Sequence, residues 1–186
     1  IGLPLTLLSA EPTDEILIAE LGANHPGEIA YLTRIAQPDI AVVTTVQPAH
    51  LEGFGDMATI TREKLSIAQG LSDDGIFLVN GDIEALAGTA HTAAVRGYRI
   101  ATFGQSEGLD YRAEDIVCEG LHSTFSIDGT RVRLPLPGPG NVENALVAWA
   151  FCDQLGLTVE DFSRDVEERV GVSMRAELVQ IGAMTV

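Results

Sequence analysis

Positive charge is scarce in this chain of 186 residues: 11 lysines and arginines stand against 27 aspartates and glutamates, a formal net charge of −16. That deficit excludes non-specific nucleic-acid binding, because a cationic surplus is what displaces the condensed counterions of a polyanion. It leaves room for a nucleotide, since glycine-rich turns and helix N-termini hold phosphate through backbone amides. Aromatics are sparse too, at 5%, so alanine, leucine, isoleucine and valine must fill the interior. The two cysteines, Cys118 and Cys152, lie far apart beside apolar residues. They read as small core hydrophobes rather than a disulfide framework. No uninterrupted apolar run reaches the length of a membrane span, and no signal-peptide pattern opens the chain, which makes the cytoplasm the expected location. The phosphate-cradling pattern GxxxxGKS or GxxxxGKT is also missing. The chain opens on IGLPLTLLSA without a methionine and closes on IGAMTV in the middle of an expected strand; both ends read as cuts.

What is present has a rhythm. The apolar run EILIAEL, residues 15–21, predicts a buried strand. Glu28–Ala36 spaces Ile29, Leu32 and Ile35 as a short helix ended by Gln37–Pro38. Ile40–Thr45 predicts a second strand, Ala58–Leu71 a helix, Ile76–Val79 a third strand, Ile83–Val95 a helix and Tyr98–Phe103 a fourth strand. Strands separated by helices predict an α/β fold: a parallel sheet flanked by helices. Near Asp110 the pattern turns to alternation, and Asp128–Gly129 is a hairpin signal, so a small antiparallel region is expected at about 108–136. The proline-rich LPLPGPGN connects it to helices at Val142–Leu155 and Val159–Val170, the second capped by Thr158 with Asp161 at its third position. Strands at Glu177–Ile181 and Met184–Val186 surround a turn at Gly182.

Chemistry-bearing residues gather where the expected parallel strands end, the edge at which open α/β sheets bind ligands. Glu20 ends the first strand, followed by Gly22, Asn24 and His25; Thr44, Thr45 and His50 follow the second; Asn80 and Asp82 the third. Glu20 and His50 with a nearby anionic group form a candidate site for a hard divalent ion, magnesium or, given the histidine, manganese. Lys64, fourteen residues after His50, cannot ligate as an ammonium ion; it contacts phosphate, or becomes a ligand after chemical change. The plainer reading stands beside this one: a glutamate capping a turn, two surface histidines and a solvated lysine.

Several segments, in this order, resemble the Mur ligases: ELGANHPGEIAYL at 20–32, AHLEGFG at 49–55, REKLSI at 62–67, LPLPGPGNVENALVA at 134–148 and SMRAEL at 173–178. The pattern is nearest the branch that adds D-alanyl-D-alanine to UDP-N-acetylmuramoyl-tripeptide. The resemblance implies a cytoplasmic ATP-dependent carbon–nitrogen ligase with a P-loop-type sheet. Residues 1–186 would be its central ATPase domain, without the phosphate-loop strand and without the N-terminal UDP-binding and C-terminal domains. Even the opening IGLPLTLL resembles the segment after the family's phosphate loop. The chain by itself is therefore expected to be unable to use ATP.

The resemblance also assigns roles. Glu20 matches a ligand of one magnesium ion, His50 a ligand of a second, and Lys64 a lysine that becomes an anionic carbamate with oxygens to offer. Asn141 and Asn144 match asparagines on the adenine side of ATP, although Gly140 stands where the family often has histidine. Arg175 matches an arginine near the ATP phosphates. Asn24, His25 and Thr45 lie in segments matching the muramoyl-peptide end. Two rivals remain at this point: a related ATP-dependent amino-acid ligase, and a non-catalytic module that binds a nucleotide or a partner.

Overall fold

A computed structural model describes residues 2–48, 54–88, 98–168, 180–181 and 184–185. The chain divides into two compact units, Ile1–Thr102 and Phe103–Val186. The first contains α1 (Gly2–Leu8), α2 (Glu28–Ala36), β1 (Ile40–Val43), α3 (Met57–Leu65) running into a 3-10 turn (Ser66–Gly70), β2 (Ile76–Asn80), the short α4 (Glu84–Ala87) and most of β3 (Arg99–Gly104). A two-residue strand, β4 (Tyr111–Arg112), completes a sheet of order β1-β2-β3-β4. The β1–β2 pair is parallel, with Ile40 opposite Ile76 and Val43 opposite Val79.

Every residue of β2, the run IFLVN, is buried, as expected of an inner strand covered on both faces. Around it pack Ala41 and Val43 of β1, Ala68 of the 3-10 turn and Leu86 of α4. Small and branched residues thus build this core, with Phe77 its one fully buried aromatic. Helix α2 buries Ile29 and Thr33, whereas Ile35 stays exposed. The stripe is rotated from the predicted one because Thr33 faces the 3-10 turn and donates its hydroxyl to the Ile67 carbonyl at 2.7 Å. Gln37 ends the helix in the left-handed conformation, its N–H on the Thr33 carbonyl, and Pro38 follows.

One expectation fails in this unit, and another is only partly described. EILIAEL forms no strand: residues 16–23 have no regular secondary structure, and Ile16, Leu17 and Ile18 are exposed. A strand exists only through its neighbour, and no described residue pairs with this segment. Of the helix expected at Ile83–Val95, the described part is only Glu84–Ala87; residues 89–97 lie outside the described set.

The second unit holds the antiparallel sheet β5 (Glu114–Glu119), β6 (His122–Ile127) and β7 (Thr130–Leu134), then α5 (Pro139–Gln154), α6 (Val159–Glu167) and the paired β8 (Gln180–Ile181) and β9 (Met184–Thr185). The β6–β7 hairpin turns on Asp128 and Gly129 with φ of 49° and 81°, positive at both central residues as a type I′ turn requires. Asp115, with φ 50°, sits where the β5–β6 register shifts. Helix α5 begins at Pro139, earlier than Val142, because proline at the first turn gives up an amide that no helical carbonyl would accept. Thr158 accepts from the Asp161 amide and donates to its carboxylate at 2.7 Å, the expected cap of α6. Trp149 of α5 packs on Phe162 of α6 with ring centroids 5.6 Å apart. The Tyr111 hydroxyl donates to Asp153 at 2.6 Å; burial first, then this carboxylate, push its ionisation up to about 12. Cys118 is exposed on β5 rather than in the core, while Cys152 is half-buried and burial pushes its thiol up; both are free. Cys118 missed the core because the outer sheet strand β5 leaves most of its residues to solvent.

The contact between α2 and the 3-10 turn makes one glycine indispensable. A Cβ on Gly70 would lie 2.2 Å from the Thr33 carbonyl oxygen, a backbone atom that cannot rotate away. Gly70→Ala is expected to cost about 3 kcal/mol by overpacking, whereas Gly88→Ala, with nothing within 4 Å, should be near neutral. Thermal melts of the two variants check this; equal melting temperatures would contradict the packing described.

Candidate functional site

The segment just before α2 carries two of the sequence-predicted residues, Asn24 and His25, and its shape comes from two carboxylates. Helix α2 starts at Gly27, which has φ 93° and no side chain to cap the first turn. The cap comes from another helix. Glu63 of α3 is 6% exposed, and its two carboxylate oxygens accept the Gly27 N–H at 2.6 Å and the Ile29 N–H at 2.7 Å. A buried carboxylate is tolerated there because it receives charge-assisted hydrogen bonds at the positive end of a helix. Glu28 does the same work on the outside. Its Oε2 accepts the Asn24 and His25 amides at 2.7 and 3.1 Å, and its Oε1 lies 3.4 Å from His25 Nδ1. Those backbone donors, the Asn24 amide foremost, hold the Glu28 carboxyl below its ordinary value of 4.5.

Lys64 follows Glu63 on α3. It is half-buried, and its side chain makes no hydrogen bond or ion pair among the described residues. Asp56 starts this helix, its carboxylate accepting the Thr59 N–H at 2.7 Å. The C-terminal ends of β1 and β2 are tied together by Asn80, 2% exposed, whose amide donates to the Thr44 carbonyl at 3.2 Å and accepts the Asp82 N–H at 3.0 Å. Thr45 is half-buried just beyond this tie. Glu20 lies in the irregular 16–23 segment, exposed and without a hydrogen-bond partner among the described residues. His50 and Arg175 lie outside the described residues.

On α5, Asn141 and Asn144 are three residues apart and so share one side of the helix. Asn141 is not the cap. Its side-chain N–H donates back to the Pro137 carbonyl at 2.7 Å, and Gly138 precedes the helix as its first residue outside. The amide oxygen of Asn141 and the whole side chain of Asn144 have no protein partner among the described residues. Among those residues no group of three or more histidine, cysteine, aspartate or glutamate side chains converges, and no helix is long and apolar enough to cross a membrane.

The structure therefore joins Asn24 and His25 to the helix of Lys64 through Glu28 and Glu63. It leaves Glu20 outside that joint. Sequence reading missed Glu63. Its one signal was a helix start written PGE, with no serine, threonine, aspartate or asparagine to cap it.

Residues 1–152 match the model of the Mur ligase middle domain. The chain belongs to the Mur ligase family. Among its relatives is UDP-N-acetylmuramoyl-tripeptide–D-alanyl-D-alanine ligase of Haemophilus influenzae, 35% identical over 185 residues, an alignment covering 97% of this chain and 39% of that enzyme. The crystal structure of MurF from Acinetobacter baumannii superposes with a TM-score of 0.90 at 32% identity, over 99% of this chain and 41% of that one. MurF of Thermotoga maritima in complex with ADP gives 0.79 at 28% identity, over 96% of this chain and 42% of that one. The chain thus spans about two fifths of the length of these Mur ligases.

The Glu28 arrangement has a pH signature. A carboxylate with a lowered folded value contributes stability that is complete above its unfolded value of 4.5 and is lost as pH falls through the lower folded one. Acid titration followed by amide NMR should therefore show the Asn24 and His25 N–H signals moving together below pH 4.5, with Glu28→Gln abolishing the step. Signals that stay fixed through that range would show the contacts absent in solution.

Proposed function

We propose that this chain is the middle, ATP-using domain of a longer ligase that joins D-alanyl-D-alanine to UDP-N-acetylmuramoyl-tripeptide, a step of peptidoglycan precursor synthesis. The observation that carries the reading is the 35% identity, along 97% of the chain, to an enzyme of that name. The ADP bound by the Thermotoga maritima relative supports ATP as the second substrate. In this reading residues 1–186 are the central domain and the antiparallel region at about 108–136 is an insertion in it. The UDP-binding domain and the domain that closes over ATP belong to the remainder of the longer protein.

The reaction begins with the peptide carboxylate attacking the γ-phosphate of ATP, giving an acyl phosphate and ADP. The amine of D-alanyl-D-alanine then attacks the acyl carbon, phosphate leaves, and an amide remains. No side-chain nucleophile is required, and Cys152, its thiol pushed up by burial, is a poor one. The protein's task is orientation and charge. Magnesium, or manganese, would offset the charge of a carboxylate crowded against phosphates. Glu20 fits such an ion: it is an exposed carboxylate with no partner among the described residues, a hard oxygen donor. His50 is assigned to a second ion and Lys64, as a carbamate, to its support; a Lys64 side chain without a partner among the described residues agrees with this role. The amide oxygen of Asn141 and the amide group of Asn144, without partners among the described residues, suit the hydrogen-bonding edge of adenine, and Arg175 the phosphates. Asn24, His25 and Thr45 are assigned to the peptide end of the substrate.

In the full-length protein, ADP release should require both the tripeptide nucleotide and D-alanyl-D-alanine. Lys64→Ala should lower kcat by about 10- to 100-fold, leave nucleotide binding nearly intact, and regain part of its activity with an added short-chain carboxylate. Wild-type turnover by a folded Lys64→Ala at low bicarbonate would remove the lysine from the mechanism. Release supported by a different amine would assign the chain to a related amino-acid ligase, and no release at all to a binding module.

A further inference from the structure

We infer that Glu63 is a positioning residue: it fixes the Asn24–Gly27 loop to the helix that presents Lys64, so that the peptide-binding and charge-supplying parts of the site move as one body. The inference rests on the reading above for the roles of that loop and of Lys64. The geometry behind it does not. Both oxygens of the Glu63 carboxylate are used, one on Gly27 and one on Ile29, across 36 and 34 residues of sequence. Gly27 has no side chain with which to cap α2 itself. The loop on the other side of Gly27 is gathered by Glu28, through the Asn24 and His25 amides. The far end of α2 is held to the same 3-10 turn by Thr33 and the close approach of Gly70. Helix α2 is therefore clamped to the α3 segment at both ends, and Glu63 is the clamp at the end bearing Asn24 and His25.

Adjacent residues on a helix point about 100° apart. With Glu63 turned onto α2, Lys64 is directed to a different flank of α3, and the carboxylate is spent on two amides rather than on the neighbouring ammonium. This explains why Lys64 has no ion-pair partner among the described residues although a carboxylate is the residue before it. A solvated glutamate at the same position would be free to reach a nearby cation or to remain in water; a buried bidentate one is committed. The rigid link means that displacing the loop displaces it relative to Lys64, and small displacements of a substrate-orienting segment are costly to turnover.

The test uses the full-length protein with Glu63→Gln and Glu63→Asp. Glutamine keeps the volume but removes the charge and sets an NH2 group against one of the two backbone N–H donors. The Gly27 and Ile29 amides of Glu63→Gln should exchange with solvent about 10-fold faster, while the β2 amides at 76–80 stay as in wild type. The KM for the tripeptide nucleotide should rise by at least about 10-fold and the KM for ATP by less than about 2-fold. Glu63→Asp, which keeps the charge on a shorter arm, should fall between wild type and Gln in both readouts, and it decides the matter if the Gln variant does not fold. Unchanged exchange at Gly27 and Ile29, an unchanged KM for the tripeptide nucleotide, or equal rises in both KM values would overturn the inference, the last because a general loss of structure does not choose between substrates. Wild-type protein that ignores the tripeptide nucleotide would instead sink the substrate reading, and the exchange measurement would then decide alone whether Glu63 fixes the loop.

Discussion

A single buried carboxylate organises the first unit. Glu63 reaches from α3 to the exposed amides at the start of α2 and satisfies them where the local sequence offers no cap. Removing a charge from water is expensive unless every lone pair finds a donor, so this interaction is worthwhile only in one geometry. That selectivity is its value. It sets the axial position of α2 against α3, and with it the place from which the chain enters β1 by way of Gln37 and Pro38. The Thr33 and Gly70 contact then fixes rotation, since a hydroxyl and a missing side chain must meet on the same side.

The two units solve the same problem with different chemistry. The first is built on a strand buried along its whole length and surrounded by alanine and valine, so its helices sit close and small errors of volume are felt at once. The second uses one-sided strands whose residues alternate between interior and solvent: Ser123, Phe125 and Ile127 face in along β6. There a tryptophan and a phenylalanine, from separate helices, supply the bulk. An aromatic content of 5% is thus shared between the units, each with one ring pair: Trp149 with Phe162 in the second, and Phe77 of the covered strand edge-on to Tyr98, centroids 6.3 Å apart, in the first.

What could be read from the sequence was whatever is decided within a few residues. Asp128–Gly129 announced its hairpin because both residues accept the positive φ that a tight turn needs. Thr158 announced its helix because the partner, Asp161, is three residues away. The alternation of strand and helix gave the parallel sheet for the same reason. EILIAEL misled because hydrophobicity reports only that a segment favours burial, while a strand also needs a neighbour. Glu63 was hidden for the opposite reason: in a chain with 27 acidic residues, a glutamate in a helix is unremarked, and its partners lie more than thirty residues upstream. Glu20, Asn24, His25, Thr45 and Lys64 were legible as candidates from their place after strands and from resemblance, but which of them share a rigid body was a tertiary fact.

Asn80 gives the end of the sheet a property that the ladder alone would not. Beyond the last paired residues of β1 and β2, its amide spans the gap to the Thr44 carbonyl and also receives the Asp82 amide. Two departing loops are therefore launched from a common anchor that belongs to neither. Their starting directions are inherited from the most deeply covered strand, so residues farther along them can be exchanged for others over generations without re-aiming the trailheads. A family that keeps such an anchor can change what its loops recognise while leaving undisturbed the ground from which they grow.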